Sequence, residues 1–206
     1  EDNLKQLINL LEDFSKKSKF SNFYSSNKEY YQTLIDDYYR HVPIDKMWKW
    51  IESKFPMKHD SYKIYFSSLV GGAHSTQKYE DNGFSETLMF VNGPSLSGEY
   101  SEKEKEAILS RRVFTEIDHN YVDFTTNKFP VLRSLLKPLD CWYSGGFNGY
   151  KNSYKTFNEY MTWGVFTLYL YDNFDKEVFE KRNKAIEDFM VSNNRGFIKY
   201  KEFNRF

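Results

Sequence analysis

The chain has 206 residues, of which 40% are hydrophobic and 19% aromatic, enough for a sizeable core built largely from Phe, Tyr and Trp rings. Basic and acidic residues number 29 each, so the formal net charge is zero. Because nucleic-acid-binding proteins usually carry a basic excess, we expect no nucleic-acid partner. No apolar run approaches the roughly 20 residues of a membrane span, so no transmembrane segment is predicted in this chain.

Cys141 is the only cysteine in the sequence, which excludes an intrachain disulfide and a zinc site built from several cysteines. A reactive thiol needs a basic and partly exposed setting, so we expect Cys141 to be a small buried residue instead. The sequence begins at Glu1 without a methionine and ends within a patterned stretch. We therefore expect a fragment of a longer chain, with any signal segment outside it.

The first quarter of the sequence has helical patterns. Apolar residues at helical spacing predict an amphipathic helix over residues 4–14, and a Ser/Asn-rich joint at 21–27 separates it from a second predicted helix over 29–41. Pro43 suits the first turn of a third helix. Residues 1–56 are therefore expected to form a helical N-terminal part.

The pattern then changes to short strands and longer helices. Residues 62–69 and 86–91 have the β-branched and aromatic bias of buried strands. The Ser and Glu of a capping box in 101–104 predict the start of a helix that extends over 102–122. A shorter helix is expected over 130–137.

Two further helices follow. Thr156 and Glu159 form a second capping-box pattern, which predicts the start of a helix that is apolar on nearly every face and therefore buried. Residues 175–190 are patterned as a last helix. We therefore expect a helix-dominated α+β fold in a single domain over 1–206, with the second part covering about 60–206.

Residues 113–123, VFTEIDHNYVD, lie inside the predicted helix 102–122. In the zinc-binding helix motif H-E-x-x-H, the two His side chains lie one turn apart and bind the metal, while the Glu activates a metal-bound water. Here Thr115 occupies the first His position, Glu116 the position of the base and His119 the second His position. One strong ligand is therefore missing.

Neighbouring oxygens could compensate for the missing ligand. Glu116 and His119 have the Glu-x-x-His spacing of carboxylate metal sites in helix bundles, so Glu116 could be a ligand instead of a base. Asp123, one turn after His119, could add another oxygen, and such a site would be less selective for zinc. The alternative is that a Glu and a His happen to lie three apart on an ordinary helix.

The sequence has three other histidines, His41, His59 and His74. A glycine loop over 71–75 could bring His74 to the site as a replacement ligand or oxyanion partner, although a loop His is usually a surface residue. The loop does not match a phosphate-binding loop. His41 and His59 are at predicted helix ends beside prolines, and we expect both to be solvated.

The order of these features resembles that of the zincin metallopeptidases. A strand pair, a helix with E-x-x-H and a later helix with a Glu, in NEYMTWG, follow the gluzincin order. More narrowly, RRVFTEIDHNYV preceded by SSLVGGAHS resembles a family of uncharacterised secreted or lipid-anchored bacterial proteins that carry either a full H-E-x-x-H or this T-E-I-D-H variant. The resemblance covers roughly residues 60–170.

The resemblance implies a peptidase that hydrolyses peptide bonds by metal-activated water. His119 and Glu159 would bind zinc or another divalent metal, and Glu116 would be the general base. It also implies a small sheet whose edge strand lies over a long active-site helix and pairs with a peptide or protein substrate. The residues of that edge strand would be Thr87, Leu88, Met89, Phe90 and Val91. The protein would be extracellular, periplasmic or surface-anchored.

Thr115 departs from the family pattern and opens a second reading. Two protein ligands bind zinc much more weakly than three, so the chain could instead be a non-catalytic relative that serves as a binding or structural module. Glu159 also has an alternative role, since the third position of a capping box can bond back to the backbone N–H of Thr156. Both alternatives remain open from the sequence.

Overall fold

The structure is a computed structural model that describes residues 2–67, 70–72, 74–93, 96–146 and 148–205. It has a helix-dominated α+β fold with one three-stranded mixed sheet, which confirms the predicted fold class. In chain order, the helices and strands are α1 (Asp2–Lys17), α2 (Phe20–Ser26), α3 (Lys28–His41), α4 (Ile44–Lys54), β1 (Ser61–Phe66), β2 (Ser75–Asp81), β3 (Phe84–Val91), α5 (Glu102–Lys128), α6 (Ser153–Asn173), α7 (Lys176–Met190) and α8 (Tyr200–Phe203).

The chain divides into two compact units, Glu1–Arg40 and His41–Phe206. The first unit consists of helices, and it includes α2 where the sequence predicted a joint. That prediction was wrong because the Ser and Asn residues are interspersed with Phe20, Phe23 and Tyr24, whose rings contact one another along one face of the helix. Helix α4, which the sequence grouped with the N-terminal helices, belongs to the second unit.

The sheet has the strand order β1-β3-β2. Strand β1 runs parallel to β3, while β2 and β3 form an antiparallel hairpin. The hairpin turn is Asn82-Gly83, and both residues adopt a positive φ, of 47° and 82°. A two-residue turn of this kind favours Asn-Gly because its backbone twist matches that of the strands. The strand β2 was not predicted because its residues, STQKYED, are polar and mostly exposed.

The assignment of Thr87–Val91 as an edge strand was wrong. These residues form most of β3, the central strand, where Leu88 is opposite Lys63 of β1 on one side and Gln77 of β2 on the other. A central strand has neighbours on both sides, so it has no free edge for a substrate. Its apolar character reflects this position. Of the predicted strand 62–69, residues 68 and 69 lie outside the described residues.

Helix α5 is the longest element of the second unit, and both the sheet and α6 pack against it. It begins with the predicted capping box, since Ser101 Oγ accepts a hydrogen bond from Glu104 N at 3.3 Å and Glu104 Oε2 accepts one from Ser101 N at 3.0 Å. The core beside it is aromatic, as predicted, with the ring centroids of Phe114 and Tyr169 only 4.9 Å apart. The helix continues to Lys128, beyond the predicted end.

Helix α6 begins earlier than the sequence predicted. Its N-cap is Asn152, whose side chain accepts a hydrogen bond from Lys155 N at 2.9 Å. Thr156 therefore lies inside the helix, and its hydroxyl donates to the Tyr150 carbonyl oxygen at 2.7 Å. The capping role considered for Glu159 is thus wrong, and its carboxylate is available for other contacts. Residues 130–134 form only a short 3-10 turn.

Two further predictions concern Cys141 and membrane-spanning segments. Cys141 is exposed in a 3-10 turn, so the prediction that it is buried was wrong. No helix within the described part of the chain is both long enough and apolar enough to cross a membrane.

Candidate functional site

Packing of α5 against α6 brings His119 and Glu159 together, although they are 40 positions apart in the sequence. His119 Nε2 lies 3.7 Å from Glu159 Oε2. The Glu159 residue is only 4% exposed, whereas 27% of the His119 side chain reaches solvent. The pair therefore forms a largely buried site that is accessible from the His119 side.

The Glu159 carboxylate is held through one of its oxygens. Oε1 accepts a hydrogen bond from Trp163 Nε1 at 2.9 Å and a second, charge-assisted one from the Arg195 guanidinium. Oε2 is buried and has no hydrogen-bond partner in the described residues. The contacts to Oε1 thus fix the carboxylate with its free oxygen directed at His119.

Arg195 reaches this position from the turn that follows α7. The next residue, Gly196, has a φ of 76°, and a Cβ there would lie 2.8 Å from Ser144 Oγ and 2.9 Å from Gly146 N. Only glycine combines this conformation with so close an approach. The turn therefore packs tightly against residues 143–146 and directs Arg195 toward Glu159.

His119 is also oriented through its other ring nitrogen. Nδ1 lies 3.4 Å from Thr162 Oγ1 of α6, three residues after Glu159. A hydrogen bond at Nδ1 sets which ring nitrogen is available, and here it leaves Nε2 facing the carboxylate. The His119 ring is thus held at Nδ1 and the Glu159 carboxylate at Oε1, while His119 Nε2 and Glu159 Oε2 face each other.

Glu116 lies close to this pair. Burial raises the pKa of its carboxyl to about 7, with the Glu159 charge adding to the rise and His119 and Arg111 opposing it. A carboxyl with this pKa exchanges protons readily near neutral pH, which is the property expected of a general acid or base.

Asp123 and Asp118 occupy different positions on α5. Asp123 Oδ1 accepts a hydrogen bond from Asn158 Nδ2, and burial raises the pKa of its carboxyl. Asp118 is fully buried, and neither of its carboxylate oxygens has a hydrogen-bond partner among the described residues. Burial, followed by the charges of Glu116 and Glu159, raises its pKa well above the usual value.

Thr115 is buried and points into its own helix. Its hydroxyl donates to the Arg111 carbonyl oxygen at 2.9 Å, a bond that commits the only hydroxyl hydrogen. His74 is separate again: its Nε2 lies 3.0 Å from Asn92 Oδ1, and burial lowers its pKa. Of the contacts described for His74, none is to His119 or Glu159.

The distance between His119 and Glu159 is suitable for two protein ligands of one metal ion. Zinc bonds of about 2.0–2.2 Å place two tetrahedral ligand atoms roughly 3.3 Å apart, close to the observed 3.7 Å, and the orphaned Glu159 Oε2 is the kind of buried atom that a cation would satisfy. Within the described ranges, however, no group of three or more His, Cys, Asp or Glu side chains is placed to hold a metal. Such a site would therefore be weaker than a three-ligand catalytic zinc site.

Comparison with known proteins identified no relative of this chain. No family model, curated protein or solved structure matched this chain. The geometry of the site therefore carries the functional argument.

Two residues of the site, Arg195 and Asp118, are not indicated by any sequence pattern described above. Arg195 lies in a turn 36 positions after Glu159, and nothing in its local sequence indicates a buried ion pair. Asp118 is inside the T-E-I-D-H stretch, but the spacing of that motif assigns it no role. Its only sequence signal is its helical spacing, four residues after Phe114 and four before Val122, which places it on an apolar face where burial without a partner is costly.

His41 and His59 were both expected to be solvated, and both expectations were wrong. His41 Nε2 lies 3.5 Å from Glu102 Oε2, with only 16% of its side chain exposed. His59 is 7% exposed, and the rings of Tyr62 and Tyr121 meet it edge-on. Neither nitrogen of the His59 ring has a hydrogen-bond partner in the described part of the chain.

His59 is expected to make the fold less stable in mild acid. Burial, followed by the charge of Lys78, lowers its pKa below the ordinary value of 6.5, so the unfolded chain binds a proton that the folded chain does not. This contribution to stability is present above about pH 6.5 and is lost as the pH falls through the lower pKa of the folded state. His59→Phe should therefore flatten the decline of the unfolding free energy between neutral pH and about pH 5, measured by urea titration. An unchanged slope would contradict the prediction.

Proposed function

We propose that residues 41–206 form a zincin-like, metal-dependent peptidase domain in which His119 and Glu159 hold a divalent metal and Glu116 is the general base. One observation carries the proposal. His119 Nε2 and the unpartnered Glu159 Oε2 face each other at 3.7 Å, while the opposite atom of each group is fixed by a neighbour. This is the orientation that outer-shell hydrogen bonds give to metal ligands.

The chain's own groups have separable tasks in this proposal. Trp163 and Arg195 hold the Glu159 carboxylate, and Thr162 orients the His119 ring. A bound metal would act as a Lewis acid and acidify a water molecule. Glu116, with its pKa near 7, would accept a proton at neutral pH and return it to the leaving amine.

The substrate strand is proposed to lie along β2 rather than β3. β2 is at the edge of the sheet, and none of its backbone groups bonds to another strand on the outer side within the described ranges. Asn120 Nδ2 donates to Thr76 Oγ1 at 2.9 Å, which holds β2 against α5 at the residue after His119. An extended peptide could add to such an edge through main-chain hydrogen bonds. The extracytoplasmic location stays a prediction from the sequence resemblance.

Two observations favour a second candidate, a non-catalytic module that binds peptides or supports a larger assembly. Thr115 stands where a further ligand is expected, and its hydroxyl is committed to the Arg111 carbonyl. The Arg195 guanidinium also neutralises the carboxylate of Glu159, which weakens its attraction for a cation. In this candidate, the ion pair takes the place of the metal.

Metal analysis separates the two candidates. Protein purified without a chelator or a histidine tag is expected to bind one divalent ion per chain in a calorimetric titration with zinc, manganese or cobalt. His119→Ala and Glu159→Gln should abolish this binding, whereas His41→Ala, a histidine paired with Glu102, should leave it unchanged. Absence of binding with excess zinc would exclude the peptidase and leave the non-catalytic module.

Hydrolysis is then tested with a mixture of unstructured peptides analysed by mass spectrometry. Glu116→Gln should retain the metal and lose roughly 10²–10⁴-fold in rate, since removal of a general base has this effect. A metal-loaded wild type without hydrolysis of any peptide would count against catalysis while leaving the metal site in place.

A further inference from the structure

A cavity of about 210 Å³ opens between α5, α6 and α7. Aromatic and basic side chains line it together: Tyr100, Arg111, Trp163, Phe166, Arg182 and Phe189. Trp163 separates this cavity from the His119–Glu159 pair, because its ring lines the cavity while its Nε1 donates to Glu159. His119, Glu159 and Glu116 are not among its lining residues, so the cavity is adjacent to the candidate metal site but does not include it.

The two arginines in the cavity lack strong partners. The Arg111 guanidinium has no hydrogen bond and no carboxylate within 4 Å among the described residues, and it lies over the Trp163 ring, 5.2 Å from its centroid. Burial, followed by the charges of Arg112 and Arg195, lowers the pKa of Arg111 to about 10, while the charge of Glu116 opposes this decrease. Cations placed against an apolar wall are costly unless an anion compensates them.

Arg182, on α7, lines the same cavity and is in a similar position. Its nearest carboxylate oxygen, Glu104 Oε1, is 3.9 Å away and forms a closer ion pair with Lys181. The Arg182 Nε is buried and has no hydrogen-bond partner among the described residues. Helices α5 and α7 thus each contribute to the cavity a guanidinium group with unused donors.

We propose that this cavity binds a small organic anion in which one carboxylate is joined to a flat apolar body. The Arg111 and Arg182 guanidinium groups take the carboxylate, since the planar guanidinium matches it with paired hydrogen bonds. Trp163, Phe166 and Phe189 cover the apolar body. The cavity is smaller than the roughly 300–1,000 Å³ of pockets for drug-sized ligands, so it suits a ligand with a single ring.

Calorimetric titration with phenylpyruvate and phenylacetate tests the proposal without need of a metal or of hydrolysis. At least one of these two probes should bind at millimolar concentration or better, the neutral phenylacetamide at least tenfold more weakly, and inorganic phosphate not measurably. Arg111→Met and Arg182→Met should each weaken binding at least tenfold, because each removes a charge-assisted contact. Arg205→Met removes the same charge from an exposed position and should change nothing.

One further variant keeps the test decisive if an arginine variant fails to fold. Ala185 is an exposed residue on the cavity wall, so Ala185→Phe should fill the cavity and abolish binding while both arginines remain. Binding of phosphate as tight as that of the organic anions would overturn the proposal in favour of a simple anion site. Unchanged binding in Ala185→Phe, or no binding of either organic anion, would overturn it as well.

Discussion

Thr115→His is expected to raise the affinity of the protein for zinc by roughly 100-fold or more. The loss of an outer-shell partner typically costs 10–100-fold in metal affinity, so a new direct ligand should have at least this effect. Residue 115 lies one helical turn before His119, and side chains at this spacing project from the same face of a helix. The variant restores H-E-x-x-H, with Glu159 as the third ligand.

Thr115→His is expected to remove few stabilising contacts from the fold. Among the described residues, the Thr115 hydroxyl bonds to the Arg111 carbonyl of the same helix and to no other group, so its loss leaves no described group of another element unpaired. The larger imidazole must nevertheless fit a position that is 5% exposed, and a melting curve checks that the variant folds.

Thr125→His is the matched control for this gain of affinity. Thr125 is on the same helix and makes the same kind of bond, from its hydroxyl to the Tyr121 carbonyl at 3.0 Å, but it is six residues beyond His119 and on another face. Zinc affinity, measured by competition with a chromogenic chelator, should rise in Thr115→His and stay unchanged in Thr125→His. An equal effect of both variants, or none in Thr115→His, would contradict the convergence of positions 115, 119 and 159.

The sequence predicted the helical part of this fold and one half of the candidate site from local patterns. The Ser101–Glu104 capping box fixes where α5 begins, and helical spacing places Glu116 and His119 on that helix. The proximity of Glu159 was expected only from the resemblance to the gluzincin order of elements. Such signals are readable because capping and periodicity depend on residues that are neighbours in the sequence.

The remaining parts depend on contacts between distant residues. β2 is polar because it lies at an edge, and β3 is apolar because it lies in the centre, so the sequence alone led to the wrong edge strand. Arg195 meets Glu159 only after α7 has packed against α6, and no local spacing encodes this pairing. The burial of His59 between tyrosine rings is likewise a product of tertiary packing.

Arg195→Met is expected to destabilise the fold by about 3 kcal/mol, at the lower end of the cost of breaking a buried ion pair. The side chains of Arg195 and Glu159 are 17% and 6% exposed, so removal of the guanidinium leaves a buried carboxylate without its cation. The guanidinium also lies over the rings of Phe189 and Phe197, at 5.1 and 5.3 Å from their centroids. The Trp163 hydrogen bond to Glu159 remains, which keeps the loss at the lower end.

A double-mutant cycle with Glu159→Gln isolates the ion pair from the packing of the arginine. If the two charges stabilise each other, the double variant should be more stable than the sum of the single losses predicts, by roughly 1–3 kcal/mol. The unfolding free energies are measured by urea titration with a chelator present, so that metal binding does not contribute.

The pair of Lys201 and Asp188 provides the contrast for this cycle. Lys201 Nζ lies 2.6 Å from Asp188 Oδ1, but both side chains are 46% exposed, so Lys201→Met should lower the unfolding free energy much less than Arg195→Met does. A loss of unfolding free energy in Arg195→Met as small as that in Lys201→Met would mean that the Glu159 carboxylate does not need the arginine charge.

Zinc gives a second test with the same variant. Because a bound metal would supply the same positive charge to the carboxylate, zinc should restore the stability of Arg195→Met if His119 and Glu159 form a metal site. The variant should not be rescued if the ion pair has replaced the metal, and the same variant therefore separates the two candidate functions by stability alone.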